Sequence, residues 1–145
     1  IGLQQLRRFE NMQLRRRQIV EAYNTAFGSK AAFLTPTTRD HVTNAYHLYV
    51  LRIRLSELTI TRDQFIHEMT GRNIGTSVHF IPIHMHSYYR NKYSYVPDDF
   101  PVAHQAFQQM VSLPLSASMS DQDVADVIEA VQDVRTKFGR RRMAA

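Results

Sequence analysis

Apolar residues recur along this chain with two different periods, and the switches between them divide it into elements. Over residues 1–27 the apolar positions Leu3, Leu6 and Phe9, then Ile19, Val20, Tyr23 and Phe27, return every three to four residues. No proline or further glycine follows Gly2, so the spacing predicts one long helix or two in line. Arg7, Arg8, Arg15, Arg16 and Arg17 fill other faces, leaving a middle too polar for a packed core, as expected of a connector along a domain junction or of a solvated surface helix. Gly28 and Ser29 close it. A short strand is predicted over 31–34, and the prolyl-threonyl run from Thr35 to Thr38 is a loop. Residues 45–54, AYHLYVLRIR, are rich in tyrosine, valine and leucine, alternate over Arg52, Ile53 and Arg54, and are predicted to form a central strand.

Beyond that strand, Thr61 and Gln64 have the spacing of a capping box ahead of a helix that buries Phe65, Ile66 and Met69 and stops at Gly71 and Asn73. Alternation resumes at Ile74, Thr76, Val78 and Phe80, which predicts a strand over 74–80 with His79 on the face opposite Val78 and Phe80; Pro82, lacking an N–H, ends it. Residues 84–95 read as a helical turn and loop. A helix with the stripe Ala103, Ala106, Phe107 and Met110 follows Pro97, and 112–115 is an extended piece that proline confines to an edge. Ser120 and Asp123 cap a last helix whose Val124, Val127, Ile128, Val131, Val134 and Phe138 keep strict helical spacing. Short strands between helices imply an α+β fold: a small, mostly antiparallel sheet covered by helices on one face, with a long N-terminal connecting helix, in one domain spanning 1–145.

Composition narrows the chemistry. The chain has 145 residues, 43% of them hydrophobic, enough for one core without staples; it has no cysteine, which excludes disulfides, thiolate metal sites and a cysteine nucleophile. No apolar run reaches the ~18 residues of a membrane span, and no basic-then-apolar leader opens the chain, so a soluble, cytoplasmic protein is expected. A chain starting at Ile1, directly in a helical pattern, reads as a piece of something longer. The net charge of +5 suits a phosphorylated ligand or nucleic acid, but the arginines cluster on helices and the strand aromatics form no obvious stacking platform, which argues against nucleic acid.

Candidate chemistry concentrates in residues 75–89, GTSVHFIPIHMHSYY, where three histidines and two tyrosines flank a proline turn. His79 is placed to hydrogen-bond an oxyanion or a sugar hydroxyl. His79, His84 and His86 match no metal-ligand spacing and have no neighbouring carboxylate, so no metal is expected. His47 reads as a structural histidine in its strand, and His41, His67 and His104 as surface residues. No phosphate loop, nucleophile elbow or carboxylate pair is present, and Lys30, Lys92 and Lys137 all stand in polar settings; no complete active site, and no catalytic residue, can be assigned. A stand-alone α+β module for a phosphorylated ligand or nucleic acid is therefore one reading of the residues alone.

The runs NAYHLYV (44–50), GTSVHFIPIH (75–84), Pro101-Val102-Ala103 and Ser112-Leu113-Pro114-Leu115, in this order, together with the opening IGLQQL, resemble the C-terminal part of the DegT/StrS-type nucleotide-sugar aminotransferases. The resemblance covers nearly the whole chain. It implies a pyridoxal-phosphate enzyme of the aspartate aminotransferase fold type, transferring an amino group from glutamate to a keto-sugar nucleotide. The cofactor lysine and phosphate-binding residues would lie on a large domain preceding Ile1, so this piece would hold no cofactor and be inactive alone, and the parent would be a homodimer. By the same resemblance residues 1–28 are the interdomain helix, and His79, Phe80 and His84 stand at the mouth of the active site, with Tyr88 and Tyr89 contacting the nucleotide or its diphosphate.

Overall fold

The computed structural model describes residues 1–140. Five helices, α1 (Gly2–Phe27), α2 (Arg62–Thr70), α3 (Ser87–Tyr93), α4 (Pro101–Gln109) and α5 (Asp121–Phe138), combine with three short strands, β1 (Phe33–Leu34), β2 (Tyr49–Ile53) and β3 (Met110–Leu113). The sheet has the order β1-β2-β3 with both pairings antiparallel, so the predicted α+β class and the central position of β2 are observed.

Alternation along β2 explains the layering. Tyr49, Leu51 and Ile53 are buried while Val50 and Arg52 are half-buried, and the register sets Tyr49 opposite Leu113 and Leu51 opposite Val111. Onto this face pack Ile19, Val20, Tyr23 and Phe27 of α1, Phe65 and Met69 of α2, and Val124, Val127, Ala130, Val131 and Val134 of α5 in one cluster. The same register turns Ser112, paired with Val50, to the opposite face. Both expected capping boxes form: the Gln64 amide donates to Thr61 Oγ1 at 3.2 Å and the Thr61 amide to Gln64 Oε1 at 2.8 Å. At α5 the Asp123 amide donates to Ser120 Oγ at 3.1 Å and the Ser120 amide to Asp123 Oδ2 at 2.7 Å. Those bonds from Ser120, backbone first and then hydroxyl, hold the Asp123 carboxyl below the usual range.

Several boundaries differ from the sequence reading, each for a local reason. β1 is only Phe33–Leu34, because the Phe33 amide closes a turn onto the Lys30 carbonyl at 3.0 Å. β2 starts at Tyr49 and not at 45, because Tyr46 takes a left-handed conformation (φ 47°) with its amide bonded to Asn44 Oδ1 at 2.8 Å. His47 consequently lies ahead of the strand and is exposed, not a structural histidine within it. α4 ends at Gln109, and Met110, expected on its apolar stripe, has extended backbone and opens β3.

The strand expected over 74–80 does not form. Its one backbone pairing is Ser77 with Ser112, through amides donating at 3.2 and 2.8 Å. Continuing that ladder needs the next alternate positions of β3, and both are spent: Pro114 has no N–H, while the Met110 amide bonds Ala106 of α4 and its carbonyl accepts from Arg62 at 3.3 Å.

Tyr23 and Tyr49 are both fully buried, with hydroxyls donating to the Pro114 carbonyl and to Asn24 Oδ1, each at 2.9 Å. Burial pushes both phenols above their ordinary range, and for Tyr49 the neighbouring Tyr23 adds to it. The stability they contribute is intact below about pH 10 and declines as the pH rises from there towards their folded values. Tyr23→Phe is expected to cost about 1 kcal/mol at neutral pH and to flatten the loss of stability above pH ~10, measured by urea denaturation at several pH values. An unchanged neutral-pH midpoint would show that the bond to Pro114 contributes nothing.

Candidate functional site

The open face of the sheet carries the first part of the site. His79 Nδ1 and Ser112 Oγ lie 2.9 Å apart, which fixes the ring, while Nε2 has no hydrogen-bond partner among the described residues. Ser112 turns away from the core yet is buried, at 5% exposure, because Ser77 pairs with its backbone and His79 lies against its hydroxyl. The Phe80 ring packs edge-on to His79 at 4.9 Å yet is 72% exposed, and the peptide between the two is cis.

The second part begins after Pro82, where a short 3-10 turn over Ile83–Met85 leads into α3. His84 is 6% exposed, its ring 4.7 Å from that of Phe100, and its Nε2 is buried with no hydrogen-bond partner among the described residues. From Phe100 a run of rings continues through Tyr95 (5.1 Å), Tyr93 (5.4 Å), Tyr89 (6.3 Å) and Tyr88 (5.1 Å). Lys92 Nζ reaches the Tyr88 hydroxyl at 3.0 Å and lies over the Tyr88 and Tyr93 rings. The geometry therefore groups His79 with Phe80, and His84 with Tyr88 and Tyr89; among the described residues no ring contact joins the two groups.

Sequence reasoning did not single out Ser112, Lys92, Tyr93, Tyr95 or Phe100. Tyr89 and Tyr93 have i, i+4 spacing, so a helix recognised over Ser87–Tyr93 would have stacked them. Ser112 gave no signal without the register. His86 is engaged by the Ile81 carbonyl at 3.3 Å, and among the described residues no group of three histidine or acidic side chains is placed to hold a metal ion. His104, expected at the surface, is half-buried, with Nε2 2.9 Å from Gln108 and Nδ1 unpartnered.

Phosphate, carbonyl and hydroxyl acceptors could engage the His79 Nε2 and Lys92, and the rings could receive a planar or apolar group. Set against known proteins, residues 1–132 match the DegT/DnrJ/EryC1/StrS aminotransferase family. The chain belongs to that family. It is 46% identical over 135 residues to the spore coat polysaccharide biosynthesis protein SpsC of Bacillus subtilis, and 44% identical over 134 residues to the uncharacterized protein MJ1066 of Methanocaldococcus jannaschii; each alignment covers 92% of this chain and 35% of the relative. Its fold superposes with a TM-score of 0.84 on Spr1654 of Streptococcus pneumoniae, described as a putative sugar aminotransferase, in its PLP form, at 28% identity, covering 94% of this chain and 34% of that one. The chain thus spans about a third of the length of the relatives it matches.

The lysines of this chain do not fit the covalent anchoring of pyridoxal phosphate. Lys137 is paired with Glu68 at 3.2 Å, Lys92 sits exposed on tyrosine rings, and Lys30 occupies the turn after α1, so none stands free in an apolar pocket.

Removing the Phe100 ring should uncover His84. In Phe100→Ala, His84 is expected to react with diethyl pyrocarbonate about as fast as exposed His86, with a stability loss of only about 1–2 kcal/mol because Phe100 is itself partly exposed. Peptide mapping by mass spectrometry reads this; a His84 as reactive in the unsubstituted chain would mean that it is not buried there.

Proposed function

We propose that this chain is the C-terminal small domain of a pyridoxal-phosphate-dependent aminotransferase, contributing the substrate side of an active site that moves an amino group from glutamate to a keto-sugar nucleotide for polysaccharide or antibiotic precursors. The observation that carries this reading is the family match over residues 1–132, supported by a solved sugar aminotransferase of the same fold in a PLP form. When bound, the cofactor supplies the carbanion chemistry, and the protein supplies binding and orientation.

On this reading His79, held by Ser112, offers Nε2 to a sugar hydroxyl or diphosphate oxygen, and Phe80 presents an apolar wall beside it. His84 stands at the mouth as the buried backing of the Phe100 ring, and Tyr88 and Tyr89 meet the nucleotide or its diphosphate. None of these residues carries a proton between reacting atoms. Residues 1–28 form the interdomain helix: its first half leaves Leu3, Leu6 and Phe9 exposed, an apolar stripe suited to the parent's large domain, while Ile19 to Phe27 belong to the core described above. The parent would be a cytoplasmic homodimer; among the described residues no helix is long and apolar enough to cross a membrane.

Two measurements test this. The 145-residue chain mixed with pyridoxal phosphate is expected to show no absorbance beyond that of the free cofactor and no amino transfer; robust transamination by this chain alone would refute the assignment of the cofactor to another domain. In the full-length protein, His79→Ala is expected to raise KM for the nucleotide sugar by about tenfold with cofactor affinity unchanged, the loss of one hydrogen bond to a charged group. Unaltered substrate kinetics would remove His79 from the site.

A further inference from the structure

The molecule has a second place suited to an anion, apart from the histidine and tyrosine groups. Gln5, Arg8, Met12 and Arg16 recur at three and four residues along α1, so they form one stripe, and that stripe faces the loop 116–118 across a groove of about 420 Å³. Its walls are fixed. Arg15 donates twice to the Met119 carbonyl, at 3.1 and 2.8 Å, and pairs with Asp121 at 2.8 Å, which ties the loop to α1. Arg16 is anchored by Nη1 to the Tyr46 carbonyl at 2.9 Å. Across from them, the Ser116 and Ser118 hydroxyls lie 2.8 Å apart.

Charge singles this groove out. The grooves beside Arg17, Arg15 and Arg72 each include a carboxylate in their lining, from Glu21, Asp121, or the aspartates and Glu129 of α5. The groove at Arg8 and Arg16 has two guanidinium groups, two serine hydroxyls, Gln5 and Asn11, with no carboxylate in the lining. Arg8 makes no hydrogen bond or ion pair with any described residue, whereas Arg15 and Arg16 are both engaged. A planar guanidinium with free donors, facing hydroxyls in a groove of ligand size, matches the acceptor geometry of a phosphate group.

We propose that this groove binds a phosphate monoester, with Arg8 as the mobile anchor, Arg16 as the fixed one, and one hydroxyl of the hydrogen-bonded Ser116–Ser118 pair donating from the opposite wall. The site shares no residue with the one assigned above and does not depend on that assignment. The test is a titration of the full chain with inorganic phosphate and with ribose 5-phosphate at low salt, followed by amide chemical shifts. Saturable shifts at Ser116 and Ser118 are expected, with affinity falling about tenfold in Arg8→Glu and holding within about twofold in Arg7→Glu, which makes the same charge reversal on a neighbouring helix face. Circular dichroism shows whether both variants keep the fold; should Arg8→Glu lose it, Ser118→Ala with the same titration replaces it and is expected to weaken binding severalfold. Equal losses in the two arginine variants, shifts that do not saturate, or a response only to single-stranded oligonucleotide would overturn the proposal.

Discussion

The Tyr23 and Tyr49 pair is the constraint on which the rest of this domain rests. The rings meet edge-on at 5.0 Å, and each hydroxyl is bonded across to another element: Tyr23 on α1 to the carbonyl of Pro114 just beyond β3, Tyr49 on β2 back to Asn24 on α1. Burying two phenols without partners would cost roughly 1–3 kcal/mol apiece, so the geometry is held wherever both bonds must be made at once. Helix, central strand and the exit of the edge strand are thereby locked in register. That register decides which face of β3 each residue takes, and so it decides that Ser112 meets His79.

One helix serves two environments. The second half of α1 closes the core, while Leu3, Leu6 and Phe9 stand exposed on the first half, and Phe80, Ile81, Ile83, Tyr88, Tyr93 and Phe100 are exposed on the segment between α2 and α4. So much uncovered apolar and aromatic surface is more than scattered exposure on a monomer of this size explains. It accords with a chain that spans about a third of its relatives.

The elements that were legible in the sequence are those whose cause is local. The capping residues Thr61 and Ser120, the helical stripe from Val124 to Val134 and the alternation of Tyr49, Leu51 and Ile53 each state their structure within a few residues, and α2, α5 and β2 form accordingly. The run from Ile74 to Phe80 alternates just as well and is not a strand, because pairing depends on the other side of the ladder, where Pro114 and Met110 offer nothing. The candidate site divides the same way. Its histidines and tyrosines drew notice by density in the sequence, but Ser112 and Phe100, which hold His79 and cover His84, lie far along the chain and are brought in by topology alone.

The failed strand is what makes the site geometrically possible. A full ladder over 74–80 would fix every residue to the edge of β3 and carry straight on to Pro82. A single bridge at Ser77 anchors the chain once, and His79 is then held by a side-chain bond to Ser112 in place of a backbone one. With no ladder to satisfy, the backbone after His79 can turn at once, bringing Phe80 against the histidine ring and leading through Pro82 into the turn that buries His84. Local sequence pattern and final structure disagree where the chain departs from regular pairing, and two histidines displaced by that disagreement keep hydrogen-bonding capacity that no described residue uses: Nε2 of His79 and Nε2 of His84.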